Sequence, residues 1–284
     1  MSSILEILKK YHKKIDALDL ELIISEVIKK PREFVIAHPE YKIIKNYELK
    51  ITNYLKRRIN GEPLAYIFSD KEFYGLKFKV NKNVLVPRPE TEMMVDWSKQ
   101  KTENRKQNFI FIDAGTGSGC IIVTLAKLLN NPPHPLYQEG IYKFLATDIS
   151  KSALKIARQN AKFHKVDKQI KFIHGNLLEP ILKNCKLLPA RFAKASARRA
   201  SYKLIILANL PYLTPKQIKN SPTIKYEPKL ALDAGGDGLK YYRELFRQIK
   251  QLKMLCVMCY VLCEIDPSQT SKIKKLIKNN FPSA

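Results

Sequence analysis

The sequence is poor in cysteine and in acidic residues, and it has no long uninterrupted apolar run. Its five cysteines are an odd and sparse number for 284 residues, which excludes the disulfide framework of a small secreted domain. No apolar run reaches the ~20 residues that a membrane-spanning helix requires. Charges within the first turns of Met1 to Lys14 exclude a secretory signal. These absences predict a soluble, cytoplasmic protein with no membrane partner.

The scarcity of acidic residues leaves a strong positive charge. Lysine and arginine number 51 against 26 aspartate and glutamate residues, a formal net charge of +25. Such a surplus favours polyanionic neighbours such as RNA or the ribosome. The lysines are spread along the whole chain, so a general compositional bias is the alternative. The basic segment 188–202 is interpreted as a solvated insertion or, alternatively, as an arm that touches RNA.

Three patterns of apolar residues divide the chain. Residues 1–60 have apolar positions at helical spacing, which predicts a small bundle of helices. From Phe73 to Val86 the period is two, broken at Gly75 and at Asn81–Asn83, which predicts a hairpin of short strands. Beyond Glu90 strands alternate with helices, as in a mostly parallel sheet with helices on both faces. The predicted domains of this α/β chain are an N-terminal helical domain over 1–70, a β-hairpin linker over 71–88 and a sheet domain over 89–284.

A glycine-rich loop follows the first strand of the alternating region. Gly115, Gly117 and Gly119 lie between the apolar run Phe109–Ile112 and a helix, where glycine permits a tight turn and the approach of a ligand to the backbone. Asp148 ends the next strand, where an acid can accept both hydroxyls of a ribose. The two features in this order predict a nucleoside-cofactor site. The alternatives are a plain strand–helix turn and Asp148 as the N-cap of the following helix.

A second polar segment, Asn-Leu-Pro-Tyr at residues 209–212, directly follows the apolar strand Lys203–Ala208. In such sheets ligands bind at the carboxyl ends of the strands. The Asn209 side-chain carbonyl and the Leu210 backbone carbonyl can each accept an N–H. Pro211 holds the turn, and Tyr212 can stack on a flat group. Two acceptors beside an aromatic wall suit a planar, uncharged –NH2 nucleophile.

Three cysteines have a spacing that superficially suggests a metal site. Cys256, Cys259 and Cys263 lie within an apolar strand, where adjacent residues face opposite ways, and no second pair of ligands follows. We therefore interpret them as buried free thiols and predict no metal.

The order of the glycine loop, Asp148 and the turn at 209–212 is similar to that of S-adenosylmethionine-dependent methyltransferases acting on an exocyclic or amide nitrogen. More narrowly, the chain resembles the protein-(glutamine-N5) methyltransferases that modify peptide chain release factors. The matching stretches are Arg58–Ile67 (RINGEPLAYI), Phe73–Val80 (FYGLKFKV), Val84–Glu92 (VLVPRPETE), Ile112–Cys120 (IDAGTGSGC), Thr147–Ala153 (TDISKSA), Asn209–Tyr212 and Tyr226–Tyr241 (YEPKLALDAGGDGLKY).

The resemblance implies a Rossmann-like methyltransferase sheet, S-adenosylmethionine as cofactor, and a release factor as the protein partner, held in part by the N-terminal helical domain. It assigns cofactor binding to Gly115, Thr116, Gly117, Ser118, Gly119, Asp148 and Asn209, with Asn176 and Leu177 flanking the adenine. It assigns substrate binding to Asn209, Leu210, Pro211 and Tyr212, of which Asn209, Pro211 and Tyr212 are the implied catalytic residues.

The chain departs from the family pattern at three places. Leu210 stands where the family usually has proline, and the rRNA adenine dimethylases share the resulting Asn-Leu-Pro-Tyr string. The basic segment 188–202 is longer than usual. The chain stops at Ala284, where the family continues with a closing pair of strands, so we expect a truncated chain or the front part of a longer fusion. The alternative functions are a nucleic-acid (rRNA or DNA) amino-group methyltransferase, with a flipped base on Tyr212, and a non-catalytic basic binding module.

Overall fold

The chain forms two compact units in a computed structural model that describes residues 1–102, 107–129, 142–184, 187–188, 202–253 and 259–282. One unit consists of residues 1–70 with residues 222–226, and the other of residues 71–221 with residues 227–284. None of the helices in the described ranges combines the length and the hydropathy that crossing a bilayer takes.

The first unit is the predicted helical bundle. Its helices are α1 (Ile4–Tyr11), α2 (Ala17–Ile28), α3 (Arg32–Ala37), α4 (Lys45–Ile59) and α5 (Leu64–Phe68). Helix α1 begins with a capping box, in which the Ser3 hydroxyl accepts from the Glu6 N–H at 3.2 Å and the Glu6 carboxylate accepts from the Ser3 N–H at 2.7 Å. The bundle is held by buried aliphatic side chains such as Ile4, Ile23 and Leu55, each fully enclosed. The prediction of a helical N-terminal region is confirmed.

A two-stranded hairpin follows, formed by β1 (Asp70–Phe73) and β2 (Leu76–Lys79). Tyr74 and Gly75 between the strands have φ of +54° and +68°, which is the left-handed pair of residues that a tight hairpin turn needs. The hairpin is therefore confirmed, but the further strand expected after the break at Asn81–Asn83, over Val84–Val86, is wrong. That segment has no regular secondary structure. Val84 and Val86 are both buried in the core, and this spacing gives the same period of two as a strand.

The second unit is built on a five-stranded sheet. Its strands are β3 (Asn108–Ala114), β4 (Tyr142–Asp148), β5 (Ile170–His174), β6 (Tyr202–Ala208) and β7 (Cys259–Cys263). All neighbouring pairs are parallel, in the order β5-β4-β3-β6-β7. The helices of this unit are α6 (Glu92–Thr102), α7 (Cys120–Leu129), α8 (Lys151–Phe163), α9 (Glu179–Leu182), α10 (Pro215–Lys219), α11 (Lys240–Lys253) and α12 (Thr270–Asn280). The predicted α/β architecture is confirmed.

Both faces of the sheet are buried. Phe109 and Phe111 of β3 belong to one apolar core with residues of α6 and α7, whereas Ile110 and Ile112 belong to a second core with residues of α11. This alternation follows from the period of two along a strand. The chain winds outward from β3 in both directions, through β4 on one side and β6 on the other. In an open parallel sheet a crevice forms at such a switch point, beyond the carboxyl ends of the strands.

Candidate active site

A cleft of about 1020 Å³, which includes solvent at its mouth, lies at this edge of the sheet. Its wall contains most of the residues that the sequence singled out. They are Gly115, Thr116, Gly117 and Ser118 after β3, Asp148 at the end of β4, Asn176 and Leu177 after β5, and Asn209, Leu210 and Pro211 after β6. Two predicted residues, Gly119 and Tyr212, do not line the cleft themselves but directly follow the lining residues Ser118 and Pro211.

The glycine loop is fixed by hydrogen bonds to both flanking strands. The N–H groups of Gly115 and Thr116 donate to the Thr147 carbonyl at 2.9 Å, and the Thr116 hydroxyl donates to the buried Asp113 carboxylate at 2.6 Å. Gly117 has φ of +56°, and a Cβ there would meet no atom within 4 Å, so its backbone faces open space. The loop therefore leaves room for a ligand at Gly117.

Asp148 organises the loop from the neighbouring strand. Its carboxylate accepts from the Gly117 N–H at 2.9 Å and from the Ser150 N–H at 2.8 Å. Burial raises the pKa of Asp148 above its usual value, and these two N–H donors oppose the rise. Helix α8 is capped by the Ser150 hydroxyl, which accepts from the Ala153 N–H at 3.1 Å. The alternative interpretation of Asp148 as the N-cap is therefore wrong.

Two side chains of the Asn-Leu-Pro-Tyr turn, those of Asn209 and Tyr212, bind Glu264, which directly follows β7. The Asn209 Nδ2 group donates to Thr91 Oγ1 at 2.9 Å and to Glu264 Oε2 at 3.0 Å. The Tyr212 hydroxyl donates to Glu264 Oε1 at 3.4 Å. Burial, and then the nearby Glu264 carboxylate, raise the pKa of Tyr212 to about 12, so this hydroxyl keeps its proton at neutral pH.

The backbone of the same turn is clamped from behind. The buried Tyr242 hydroxyl donates to the Glu264 carbonyl and lies 3.5 Å from the Leu210 carbonyl. The Gln269 Nε2 group donates to the Tyr212 carbonyl at 2.7 Å. A Cβ on Gly238 would stand 2.0 Å from Gln269 Nε2 and 2.4 Å from the Tyr212 carbonyl oxygen. Position 238 must therefore be glycine for this clamp to form.

Arg88 and Glu227 form an ion pair beside the cleft. Glu227 is almost fully buried and accepts from Arg88 at 2.5 Å and from the Val86 N–H at 3.2 Å. The carboxylate thereby holds the irregular segment that leads to Thr91, and Arg88 forms part of the cleft wall. A buried carboxylate needs such donors, because an unpaired charge inside a protein is costly.

Sequence reasoning missed several residues of this site, among them Thr91, Glu227, Glu264 and Gln269. Thr91 and Glu227 lie in two of the stretches that carry the family resemblance, which was a signal for them. Glu264 directly follows an apolar strand of the parallel sheet, and the similar strand-end position of Asp148 had indicated a functional role, so this position was a signal for Glu264. Gln269 acts on a backbone carbonyl and has no sequence signal.

Comparison with known proteins agrees with this geometry. The profile of the PrmC N-terminal domain matches residues 3–68, and that of a methyltransferase domain matches residues 105–282. The release factor glutamine methyltransferase of Coxiella burnetii is 36% identical, over 93% of this chain and 84% of that protein. This chain belongs to the release factor glutamine methyltransferase family. The enzyme of the same name from Dictyoglomus turgidum is 32% identical, over 94% of this chain and 84% of that protein.

Among solved structures, the hMettl16 catalytic domain in complex with MAT2A 3'UTR hairpin 1 aligns with a TM-score of 0.53, 14% identity, and coverage of 94% of this chain and 84% of that one. At this identity the likeness shows the Rossmann-like fold alone. Membership in the release factor glutamine methyltransferase family confirms the predicted family, enzyme class and cofactor, S-adenosylmethionine. The open space at Gly117 and the carboxylate of Asp148 beside it fit a nucleoside cofactor.

The two described cysteines of β7, Cys259 and Cys263, form no disulfide and are half-buried rather than fully buried. Burial of its sulfur still raises the pKa of Cys263 to about 12. Cys256 lies outside the described residues. Within the described ranges, no three histidine, cysteine, aspartate or glutamate side chains cluster in a way that would hold a metal ion.

Proposed function

We propose that this protein transfers a methyl group from S-adenosylmethionine to the side-chain amide nitrogen of a glutamine in a peptide chain release factor. The curated relatives that match 93% and 94% of the chain are named for this activity. The structural observation that carries the proposal is the direction of the Asn209 carboxamide. The carboxamide nitrogen of Asn209 donates to Thr91 and Glu264, so the carboxamide oxygen, Oδ1, is on the side away from these two partners.

A primary amide brings two N–H donors on one nitrogen, and the turn offers two oxygens for them. One is Asn209 Oδ1. The other is the Leu210 carbonyl, which accepts from the buried Tyr242 hydroxyl at 3.5 Å and keeps a second lone pair for the substrate. Two such acceptors would match a –NH2 group and would favour an amide or amino nitrogen as the substrate.

The residues that would hold S-adenosylmethionine are those of the glycine loop, with Asp148 at the ribose and with Asn176 and Leu177 beside the adenine. When bound, this cofactor supplies a methyl group on a positively charged sulfonium. The loop adjoins the substrate turn, since a Cβ on Gly115 would stand 3.0 Å from Leu210 Cδ2. The cofactor loop and the Asn-Leu-Pro-Tyr turn are therefore neighbours in the cleft wall.

An amide nitrogen is a weak nucleophile, because its lone pair is delocalised into the carbonyl. Hydrogen bonds from its N–H groups to Asn209 and Leu210 hold the nitrogen in one orientation and favour a lone pair directed into the cleft. Tyr212, neutral and fixed by Glu264, packs beside the amide, and Pro211 holds the turn. Most of the acceleration then comes from positioning and from electrostatics that are organised before the reaction.

The helical N-terminal unit, residues 1–70, is proposed to hold the release factor. Such a substrate places the protein in the cytoplasm, where release factors meet the ribosome. The net charge of +25 would favour contact with the ribosome or its RNA. Most of the basic segment 188–202 lies outside the described residues, so its role stays a prediction. A nucleic-acid substrate is not favoured, because the relatives at 36% and 32% identity are release factor methyltransferases.

The direct test offers methyl-labelled S-adenosylmethionine and, separately, a release factor, ribosomal RNA and DNA, and locates the label by mass spectrometry. The proposal expects one methyl group on a release factor glutamine. In Asn209→Ala we expect turnover to fall at least ~100-fold, the scale for removing one organised polar group, while the dissociation constant for S-adenosylmethionine changes by less than about threefold. The matched control is Glu72→Gln, an exposed position in β1. Label on RNA or DNA instead of protein, or normal turnover by Asn209→Ala, would contradict the proposal.

A further inference from the structure

We propose that Glu264 is a positioning residue: it fixes the rotation of the Asn209 carboxamide and so decides that this residue meets the substrate as an acceptor. The inference rests on the proposed function, because it concerns how that site selects an N–H-bearing nitrogen. Glu264 lies 55 residues from Asn209 in the chain and outside every motif that assigns the site.

The sheet brings the two residues side by side. Strands β6 and β7 are parallel and pair Ala208 with Cys263, so the next residues along, Asn209 and Glu264, emerge together at the carboxyl edge. The Glu264 N–H donates to the Ala208 carbonyl at 3.2 Å, and the Glu264 carbonyl accepts from Tyr242. The backbone N–H and carbonyl of Glu264 are therefore both held, which fixes the point from which its side chain extends.

Thr91 completes a triangle with the two side chains. Its hydroxyl donates to Glu264 Oε2 at 2.6 Å, while Asn209 Nδ2 is 2.9 Å from the hydroxyl oxygen and 3.0 Å from the same carboxylate oxygen. Thr91 is only 2% exposed, whereas Asn209 and Glu264 are half-buried. Three polar groups from distant parts of the chain thus lie within hydrogen-bond distance of one another.

The direction of each bond follows from the number of protons available. A carboxylate only accepts, and the single hydroxyl proton of Thr91 is given to it. Both oxygens that face the end of the Asn209 side chain are therefore acceptors. If the carboxamide were rotated by half a turn, Oδ1 would meet two oxygens with no proton between them. The carboxylate thereby forces the –NH2 group inward and Oδ1 outward.

The bonding of Glu264 is unlike that of a structural ion pair. Within the described residues no lysine, arginine or histidine forms a salt bridge with it, and its donors are the neutral Asn209, Thr91 and Tyr212 side chains. Two of these three belong to the substrate turn. A carboxylate whose hydrogen bonds go to that turn is placed to orient it rather than to join distant helices.

A double-mutant cycle tests the inference. We expect Glu264→Ala to lower kcat about 100-fold, with Glu264→Gln intermediate because its amide oxygen restores one acceptor. In the Asn209→Ala background the same Glu264→Ala change should cost less than about threefold, because residues that act through one another are not additive. The dissociation constant for S-adenosylmethionine should stay within about threefold throughout. Effects that multiply independently would overturn the inference.

A second measurement reads the hydrogen bond without turnover. With ¹⁵N-labelled asparagine, the Asn209 Nδ2 proton signals are assigned by their loss in Asn209→Ala. They should move upfield and exchange faster with solvent in Glu264→Ala, and signals that stay unchanged would overturn the inference. Folding of each variant is checked by the fluorescence of Trp97, the only tryptophan, and Glu72→Gln is again the matched control.

The two levels of the proposal fail in different ways. If the wild-type chain does not methylate a release factor glutamine, the proposed function fails, while the Asn209 signals still decide the role of Glu264. If the wild type is active and the cycle is additive, only the role of Glu264 fails.

Discussion

Replacement by alanine should have different main effects at two glycines of the same loop. Gly117 and Gly119 both have left-handed backbones, with φ of +56° and +81°. At Gly117 the new methyl group enters open space in the cleft. At Gly119 it would stand 3.1 Å from Ala157 Cβ and 3.2 Å from Ala157 Cα. The first change should therefore act on the cofactor and the second on the fold.

The magnitudes follow from these contacts. A left-handed conformation costs an alanine about 1–2 kcal/mol, and this is the whole penalty expected for Gly117→Ala. Gly119→Ala adds overpacking against α8, about 1–3 kcal/mol, because Ala157 is fully buried and its backbone cannot move aside. The expected losses in the free energy of unfolding are thus about 1–2 and about 2–5 kcal/mol.

The assay is urea unfolding followed by Trp97 fluorescence, together with calorimetric titration of S-adenosylmethionine. Trp97 lies in α6 and packs against the core beside β3, so it reports on the sheet unit alone. Gly117→Ala should weaken cofactor binding about tenfold or more, since the backbone must approach the ligand there. Equal unfolding midpoints for the two variants would refute the packing argument, and unchanged affinity in Gly117→Ala would refute the placement of the cofactor.

Two further predictions concern the acids at the strand ends. Burial, opposed by the Thr116 hydrogen bond and aided by the charge of Asp148, raises the pKa of Asp113 to about 7. The folded state therefore holds a proton that the unfolded chain releases, and this group's contribution to stability falls as pH rises from about 4 to 7, by up to ~4 kcal/mol. Asp113→Asn should remove that fall, and parallel curves of unfolding free energy against pH for variant and wild type would contradict it. Asp148→Ala should weaken S-adenosylmethionine binding about 10–100-fold, the scale of charge-assisted hydrogen bonds, with the exposed Asp167→Ala as control; calorimetry that shows a change under twofold would count against its role.

The local pattern of the sequence was enough for the alternation of strands and helices, although it did not predict α9, α10 or α12. The apolar run Phe109–Ile112 and the glycines soon after it indicate a strand, a loop and a helix through interactions between near neighbours. The hairpin was located less well. The sequence placed a further strand at Val84–Val86, because burial of alternate valines gives the same period as a strand. Only the structure shows that Tyr74 and Gly75 make the turn.

The motif residues of the site were likewise visible in the chain, since each directly follows a strand. Their partners were not. Thr91 lies 118 residues from Asn209, and Glu264 lies 173 residues from Thr91. No local preference connects positions so far apart.

The sequence by itself therefore determined the kind of fold, the family, and which turns carry the chemistry, because periodicity, glycine spacing and strand-end acids are properties of neighbouring residues. The tertiary structure determined how the side chains of those turns are oriented. The parallel register of β6 and β7 sets Glu264 beside Asn209, and the buried Thr91 hydroxyl joins them from another part of the chain. Which way the Asn209 carboxamide faces depends on which of its neighbours, Thr91 and Glu264, have a proton to donate. These side chains come together only once the sheet has formed.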